Sequence, residues 1–179
     1  WGRFPGANVV LGPEMKSTGE VMGIAGNFPA AFTKTQLAID YEPPRGGEVF
    51  ISVNDGDKRN ITAIARSIAR LGFSLVATTG TARALRASGI ECEEVGKIHA
   101  GSHTILDRIA SGEIVLMINT PFGSSTNTDG YEMRAACVRH GVSYCTTLAG
   151  AQALIAGMEA VRETGLDVVA LQDLPQWEG

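Results

Sequence analysis

The sequence predicts an α/β fold: a doubly wound, mostly parallel sheet of five to six strands, with helices on both faces in three layers. Three observations carry this. From Gly47 onward, short β-rich apolar runs alternate with helical stretches. Five predicted helices stop at a glycine (Gly72, Gly89, Gly112, Gly141 and Gly165), and most of these are followed directly by an apolar residue that opens a strand. Helices commonly close on a left-handed residue, a conformation glycine takes without penalty. Residues 114–118 are apolar without a break, as a strand covered on both faces requires. Strand–helix–strand units in series imply right-handed crossovers and a parallel sheet.

The elements follow in order. Phe50, Ile51 and Val53 form a first strand that stops at Asn54-Asp55-Gly56. A helix is predicted over 58–71, because Ile61, Ile64, Ala65, Ile68 and Leu71 share one face at helical spacing. Asp57 is placed to cap it. Strands are expected over 73–77, 92–95, 114–118, 142–145 and 168–171, and helices over 81–88, 104–111, 131–140 and 148–164. Residues 1–45 read differently. They are loop-rich, with one helix predicted over 29–38, and end in Asp40-Tyr41-Glu42-Pro43-Pro44-Arg45-Gly46-Gly47. Prolines and glycines among charges mark a linker. The expected division is therefore 1–45, 46–174 and a tail over 175–179. The first segment is too short to hold its own core.

Composition narrows the function. At 44% hydrophobic and 19% charged residues, the chain can bury a core. Its formal net charge of -4 argues against a nucleic-acid surface, which needs a basic patch. Cys92, Cys137 and Cys145 are odd in number and not spaced as a metal or redox pair, which suits a reducing compartment. No apolar run is long enough for a bilayer, and the start does not resemble a signal peptide. The cytosol is the expected location.

Ligands of open parallel sheets sit beyond the carboxyl ends of the strands. The residues that follow the predicted strands are Asn54, Asp55, Gly56 and Lys58; Thr78, Thr79, Gly80 and Thr81; Lys97, His99, Gly101, Ser102 and His103; Asn119, Thr120 and Pro121; and Thr146 and Thr147. Thr78–Thr81 is the most informative group, a hydroxyl-rich turn opening a helix. A helix start favours an anion through its free N–H groups and its dipole. Gly80 lets backbone approach closely, and Lys58 and Lys97 add full charges. Singly, each has a plainer use as a cap or a solvated charge; together they point to a pocket for a phosphate on a small polar ligand. Catalysis is harder to assemble. Asp107 and Asp129 lie in or beside helix starts, Cys145 has no obvious histidine base, and neither a Walker loop nor a dinucleotide GxGxxG is present. His99 and His103 lack the company of a metal site.

Gly12–Gly23, GPEMKSTGEVMG, resembles a segment near the end of the second ATP-grasp half of carbamoyl-phosphate synthase large chains. Phe28–Ala38, FPAAFTKTQLA, is similar to the helix that follows in that family. FISVNDGDK (Phe50–Lys58), ATTGTA (Ala77–Ala82), INTPFG (Ile118–Gly123) and TTLAGAQA (Thr146–Ala153) resemble the methylglyoxal-synthase-like regulatory domain that comes next, so the likeness reaches to about residue 174. The resemblance implies a Rossmann-like three-layer fold and an effector site built from Lys58, Thr78, Thr81, Lys97, Asn119 and Thr120, with Thr79 and Gly80 in the same turn and Ser52 linked to effector response. It implies UMP as inhibitor, and IMP and ornithine as activators. Partners would be the rest of the large subunit, a small glutaminase subunit and a further copy of the chain. ATP with Mg or Mn would be used elsewhere in the full-length ligase, and no cofactor here. Pro121 stands where some bacterial members have a ligand-contacting threonine. Its missing donor leaves the effector open. Two alternatives remain. One is a methylglyoxal-synthase-type lyase, against which Ser102 stands in place of the family's aspartate. The other is a non-sensing oligomerisation domain.

Overall fold

The computed structural model describes residues 21–96, 104–121 and 128–173. Helix α1 (Phe28–Leu37) precedes strand β1 (Glu48–Ser52). Then follow α2 (Ile61–Arg70), β2 (Ser74–Thr78), α3 (Thr79–Ala87), β3 (Glu93–Val95), α4 (Ile105–Ala110), β4 (Ile114–Asn119), α5 (Thr128–His140), β5 (Ser143–Cys145) and α6 (Leu148–Thr164). Among the described residues the sheet has five strands in the order β3-β2-β1-β4-β5, and every pairing is parallel. The five helix-ending glycines all have positive φ, between 69° and 81°.

Two apolar layers flank the sheet. On one face Val49, Ile51, Leu75, Ala77 and Ile118 pack with Ile61, Ile64, Ile68 and Leu85 and with Leu154 and Ile155 of α6. On the other, Phe50, Val76 and Met117 pack with Ile105 and Ile109 of α4 and Met133 and Cys137 of α5. Strand alternation divides the residues between faces, with one interruption. The β1–β4 register slips so that Glu48 pairs with Ile114 but Val49 with Leu116. The extra residue, Val115, presses on Gly47, where a Cβ would lie 2.7 Å from Val115 Cγ1 at a φ of +117°. The bulge reverses the parity of β4, so Ile114 and Met117 share the α4/α5 face.

Helix α1 packs on α6. A Cβ at Gly157 would lie 2.3 Å from Thr33 Oγ1 and 3.3 Å from Pro29 O. Only a residue without a side chain admits Thr33, which is buried and donates its hydroxyl to Pro29 O at 3.0 Å. Phe32 and Tyr41 lie against the same core.

Two expectations are corrected. Residues 168–171 are not a strand. Val168 is 98% exposed, and a single 3-10 turn spans Leu171–Asp173. Strand propensity has no effect where neither a neighbouring strand nor a covering layer is available. Asp57 is not the cap of α2. It belongs to a 3-10 turn, Asp55–Asp57, and is tied to Asn54, whose Oδ1 accepts from the Asp57 N–H at 3.1 Å and whose Nδ2 donates to Asp57 Oδ2 at 2.7 Å. Helix α2 starts after Asn60, which makes no side-chain capping bond. Asp107 is exposed and has a structural use. It and Thr104 form a capping box, with Thr104 N–H donating to Asp107 Oδ2 at 2.8 Å and Asp107 N–H to Thr104 Oγ1 at 3.3 Å.

Candidate functional site

In a doubly wound sheet the favoured crevice opens where the order of strands reverses. Here that is between β1 and β4, since the chain leaves β1 for α2 on one face and β4 for α5 on the other. Ser52 closes β1, Thr78 closes β2 and Asn119 closes β4, so three predicted residues stand side by side. Ser52 O accepts from the Thr120 N–H at 3.2 Å and from Asn119 Nδ2 at 3.3 Å. Thr78 Oγ1 lies 3.4 Å from Ser52 Oγ and 3.3 Å from Thr81 Oγ1.

The predicted residues divide by what their polar atoms do. Thr81 and Thr120 are buried and hold the loop after β1. Thr81 Oγ1 accepts from the Val53 N–H at 3.2 Å, and Thr120 Oγ1 accepts from the Asn54 N–H at 3.0 Å. That loop, braced again by the Asn54–Asp57 pair, delivers Lys58. Thr79, by contrast, is exposed, and Thr78 is half-buried. Thr78 is the N-cap of α3 in extended conformation, yet its side chain makes no capping bond. Among the described residues, the first-turn N–H groups of α3 therefore have no side-chain acceptor. A Cβ at Gly80 would lie 2.8 Å from Lys58 Nζ, which places the ammonium directly against that bare turn. Lys58 also pairs with Asp55, a largely exposed partner. An ammonium, an uncapped helix start and two threonine hydroxyls thus converge, an arrangement suited to a tetrahedral anion. Thr146 is buried at the end of β5, and Thr147 caps α6 by accepting from the Gly150 N–H at 3.1 Å. Lys97, His99, Ser102 and His103 lie outside the described residues.

Two buried arginines escaped the sequence reading. Arg134 of α5 is 6% exposed, and its Nη1 donates to Asn119 Oδ1 at 2.6 Å. Its Nε has no partner among the described residues, and burial lowers its pKa from the usual guanidinium value. A signal was available: Gly130, Met133, Arg134 and Cys137 share one helical stripe, and a charge on an otherwise apolar stripe is informative. Arg108 of α4 lies at the opposite, amino edge. It bonds Glu48 at 2.6 Å and Glu93 at 2.7 Å, with Glu113 at 3.6 Å, and these bonds, Glu93 foremost, raise its pKa. It ties α4 to the amino ends of β1 and β3. A groove of about 810 Å³ opens on that edge, with Arg66, Arg70, Phe73 and Glu93 in its wall. Its arginines are engaged by Ser88 O and Glu159, so no convergent set of donors faces a ligand there.

The thiols are poor nucleophiles. Burial pushes Cys137 up to about 12 and Cys145 up to about 11, so neither is thiolate near neutral pH. Among the described residues no three His, Cys, Asp or Glu side chains gather as a metal site, and no helix is long and apolar enough to cross a membrane.

Residues 60–146 match the MGS-like domain family. The chain is 51% identical over 173 residues to the carbamoyl phosphate synthase large chain, C-terminal section, of Methanopyrus kandleri, which covers 96% of this chain and 32% of that protein. It is 46% identical over 171 residues to the carbamoyl phosphate synthase large chain of Myxococcus xanthus, covering 96% of this chain and 16% of that one. The chain carries an MGS-like domain and is similar over nearly its whole length to carbamoyl phosphate synthase large chains. The C-terminal section of the Aquifex aeolicus large chain agrees, at 41% identity over 179 residues, with 97% of this chain and 33% of that protein covered. This MGS-like chain thus spans about a third or a sixth of the length of these relatives. The crystal structure of methylglyoxal synthase from Elizabethkingia anophelis superposes with a TM-score of 0.53 at 17% identity, covering 63% of this chain and 78% of that one. That likeness concerns the fold alone. Of the residues that the sequence resemblance singles out, Ser52, Thr78 and Asn119 stand together at the ends of β1, β2 and β4.

Proposed function

We propose that this chain is the effector-binding domain of a carbamoyl phosphate synthase large chain, and that it takes a nucleoside monophosphate such as UMP or IMP by its phosphate. The observation that carries the reading is Lys58 Nζ resting on the uncapped first turn of α3 beside Thr78 and Thr79. Backbone N–H groups, a helix dipole and a full positive charge act on the same small volume, so a dianion gains from all three. Ser52, Asn119 and the far end of the crevice would meet the ribose or base.

The longer enzyme would join ammonia from glutamine, bicarbonate and the phosphate of ATP into carbamoyl phosphate, with Mg or Mn, a glutaminase subunit, and ornithine as a further effector. Regulation requires that the effector prefer one packing of this domain against the rest of the enzyme. Coupling between two such sites is typically about 1–3 kcal/mol, a several-fold to hundredfold change in affinity.

Calorimetric titration of UMP and IMP into the chain tests the reading. Binding of at least one at millimolar concentration or below, weakened tenfold or more in Lys58→Ala, is expected. No heat from either ligand, or equal affinity in Lys58→Ala, would overturn it.

A further inference from the structure

Among the described residues, Arg134 is a charge with no countercharge. Its guanidinium is buried on α5, yet Asn119 Oδ1 is its only hydrogen-bond acceptor among the described residues, and its Nε has none. Tyr144, which acts on it electrostatically, is neutral near neutral pH, because burial pushes that phenol up to about 12. A cation held this way is costly unless something balances it. The fold nevertheless makes room for it. A Cβ at Gly130 would lie 3.0 Å from Arg134 Nη1 and 3.4 Å from Asn119 Oδ1, so glycine at that position keeps the guanidinium and the amide together.

The consequence falls on Asn119. With its oxygen held by Arg134, the amide cannot turn over, and its Nδ2 is aimed at Ser52 O, 3.3 Å away on β1. Ser52 Oγ in turn lies 3.4 Å from Thr78 Oγ1. A line of polar contacts therefore runs from the buried charge, across the ends of β4, β1 and β2, to the start of α3. Along that line Ser52 O is an acceptor already in use, the side chains beyond it are hydroxyls, and no carboxylate intervenes.

We propose that Arg134 is a positioning residue of the effector site: it locks Asn119 with its amide nitrogen toward the crevice, and its buried charge is balanced only when an anion occupies the edge. This rests on the reading of the crevice as an anion site and assigns that site its selectivity. Apart from Asp55, which pairs with Lys58, it presents ammonium, amide and hydroxyl groups, and so favours an acceptor-rich anion over a cation.

The test uses the whole chain, with inorganic phosphate and UMP as probes, thermal melting and calorimetry as readouts, and three variants. Arg134→Met removes the charge and keeps the bulk. Its melting temperature without ligand is expected to equal or exceed that of the wild type, while both probes bind at least tenfold more weakly. Arg134→Lys keeps the charge and is expected to bind within about threefold of the wild type. Asn119→Asp gives the guanidinium a permanent countercharge. It is expected to melt at a higher temperature and to lose phosphate binding. Phosphate affinity within twofold of wild type in Arg134→Met, or Arg134→Lys as weak as Arg134→Met, overturns the proposal. If Arg134→Met does not fold, retention of phosphate binding by Asn119→Asp overturns it instead. A wild type that binds both probes in a Lys58-dependent way while Arg134→Met is indifferent leaves the effector reading standing and removes only this one. A wild type that binds neither probe removes both.

Discussion

Replacing Gly80 by alanine should move stability and ligand affinity in opposite directions. Gly80 sits in the first turn of α3 with ordinary negative φ, so it is not required there for its backbone freedom. Alanine in a helix is favoured over glycine by about 0.5–1 kcal/mol. The new methyl carbon would stand 2.8 Å from Lys58 Nζ and 3.5 Å from Cε, and both atoms belong to the end of a flexible side chain that is 29% exposed. Lys58 can swing outward at small cost, so the fold keeps most of the helix gain. For a chain of this length that is a rise in melting temperature of roughly 1–4 °C. The same swing removes the ammonium from the anion. A hydrogen bond to a charged group contributes about 1.5–3 kcal/mol, so phosphate or UMP should bind roughly ten- to a hundredfold more weakly. Thermal melts and calorimetry on one preparation read both effects. A Gly80→Ala protein that binds as tightly as the wild type, or that melts several degrees lower, would refute the placement of Lys58 against α3.

Three further outcomes are expected. Gly157→Ala forces its methyl into Thr33 Oγ1 and toward Pro29 O, lifting α1 from α6 at a cost of about 1–3 kcal/mol; adding Thr33→Ala should recover part of this in a double-mutant cycle read by denaturant unfolding. Arg108→Ala removes the buried guanidinium that Glu48, Glu93 and Glu113 share and should destabilise the fold by about 3–5 kcal/mol, with no change in UMP affinity, since that cluster lies at the other edge of the sheet. Stability should also fall above pH 9. Cys137 has a folded-state pKa of about 12 against an ordinary 9.0, so its contribution is complete below pH 9 and is lost as pH rises through the folded value, at about 1.4 kcal/mol per pH unit. Chemical denaturation at pH 8 and pH 10.5, compared with Cys137→Ala, isolates the effect.

Much of the fold was legible because it is local. A glycine that must adopt positive φ advertises itself at the end of each helix from α2 to α6, and the unbroken apolar run of β4 can only be a strand buried on both faces. The turn at Thr78–Thr81 was legible for the same reason: a strand, a hydroxyl-rich step and a helix are contiguous in sequence. Lys58 lies twenty residues before that turn, and its approach to Gly80 was inferred only from the rule that strand ends share an edge. What could not be read was decided by contacts between distant residues. Asn54 turns to Asp57 because Thr120, 66 residues away, takes its backbone N–H, and this displaces the start of α2. Residues 168–171 carry strand composition but pair with no strand among the described residues. Arg134 has meaning only beside Asn119, and Arg108 only beside three glutamates contributed by separate turns of the chain.

The notch at Gly157 makes the longest helix into a lever. Helix α6 begins at Thr147, on the same edge as the crevice, and its 17 residues span about 25 Å. Thr33 is seated in its flank with no slack. A rotation of α6 by about 5° pivoting at that edge would sweep its far end through about 2 Å, and α1 would have to travel with it. Helix α1 is therefore geared to the edge where α6 starts, although it lies along the flank of α6.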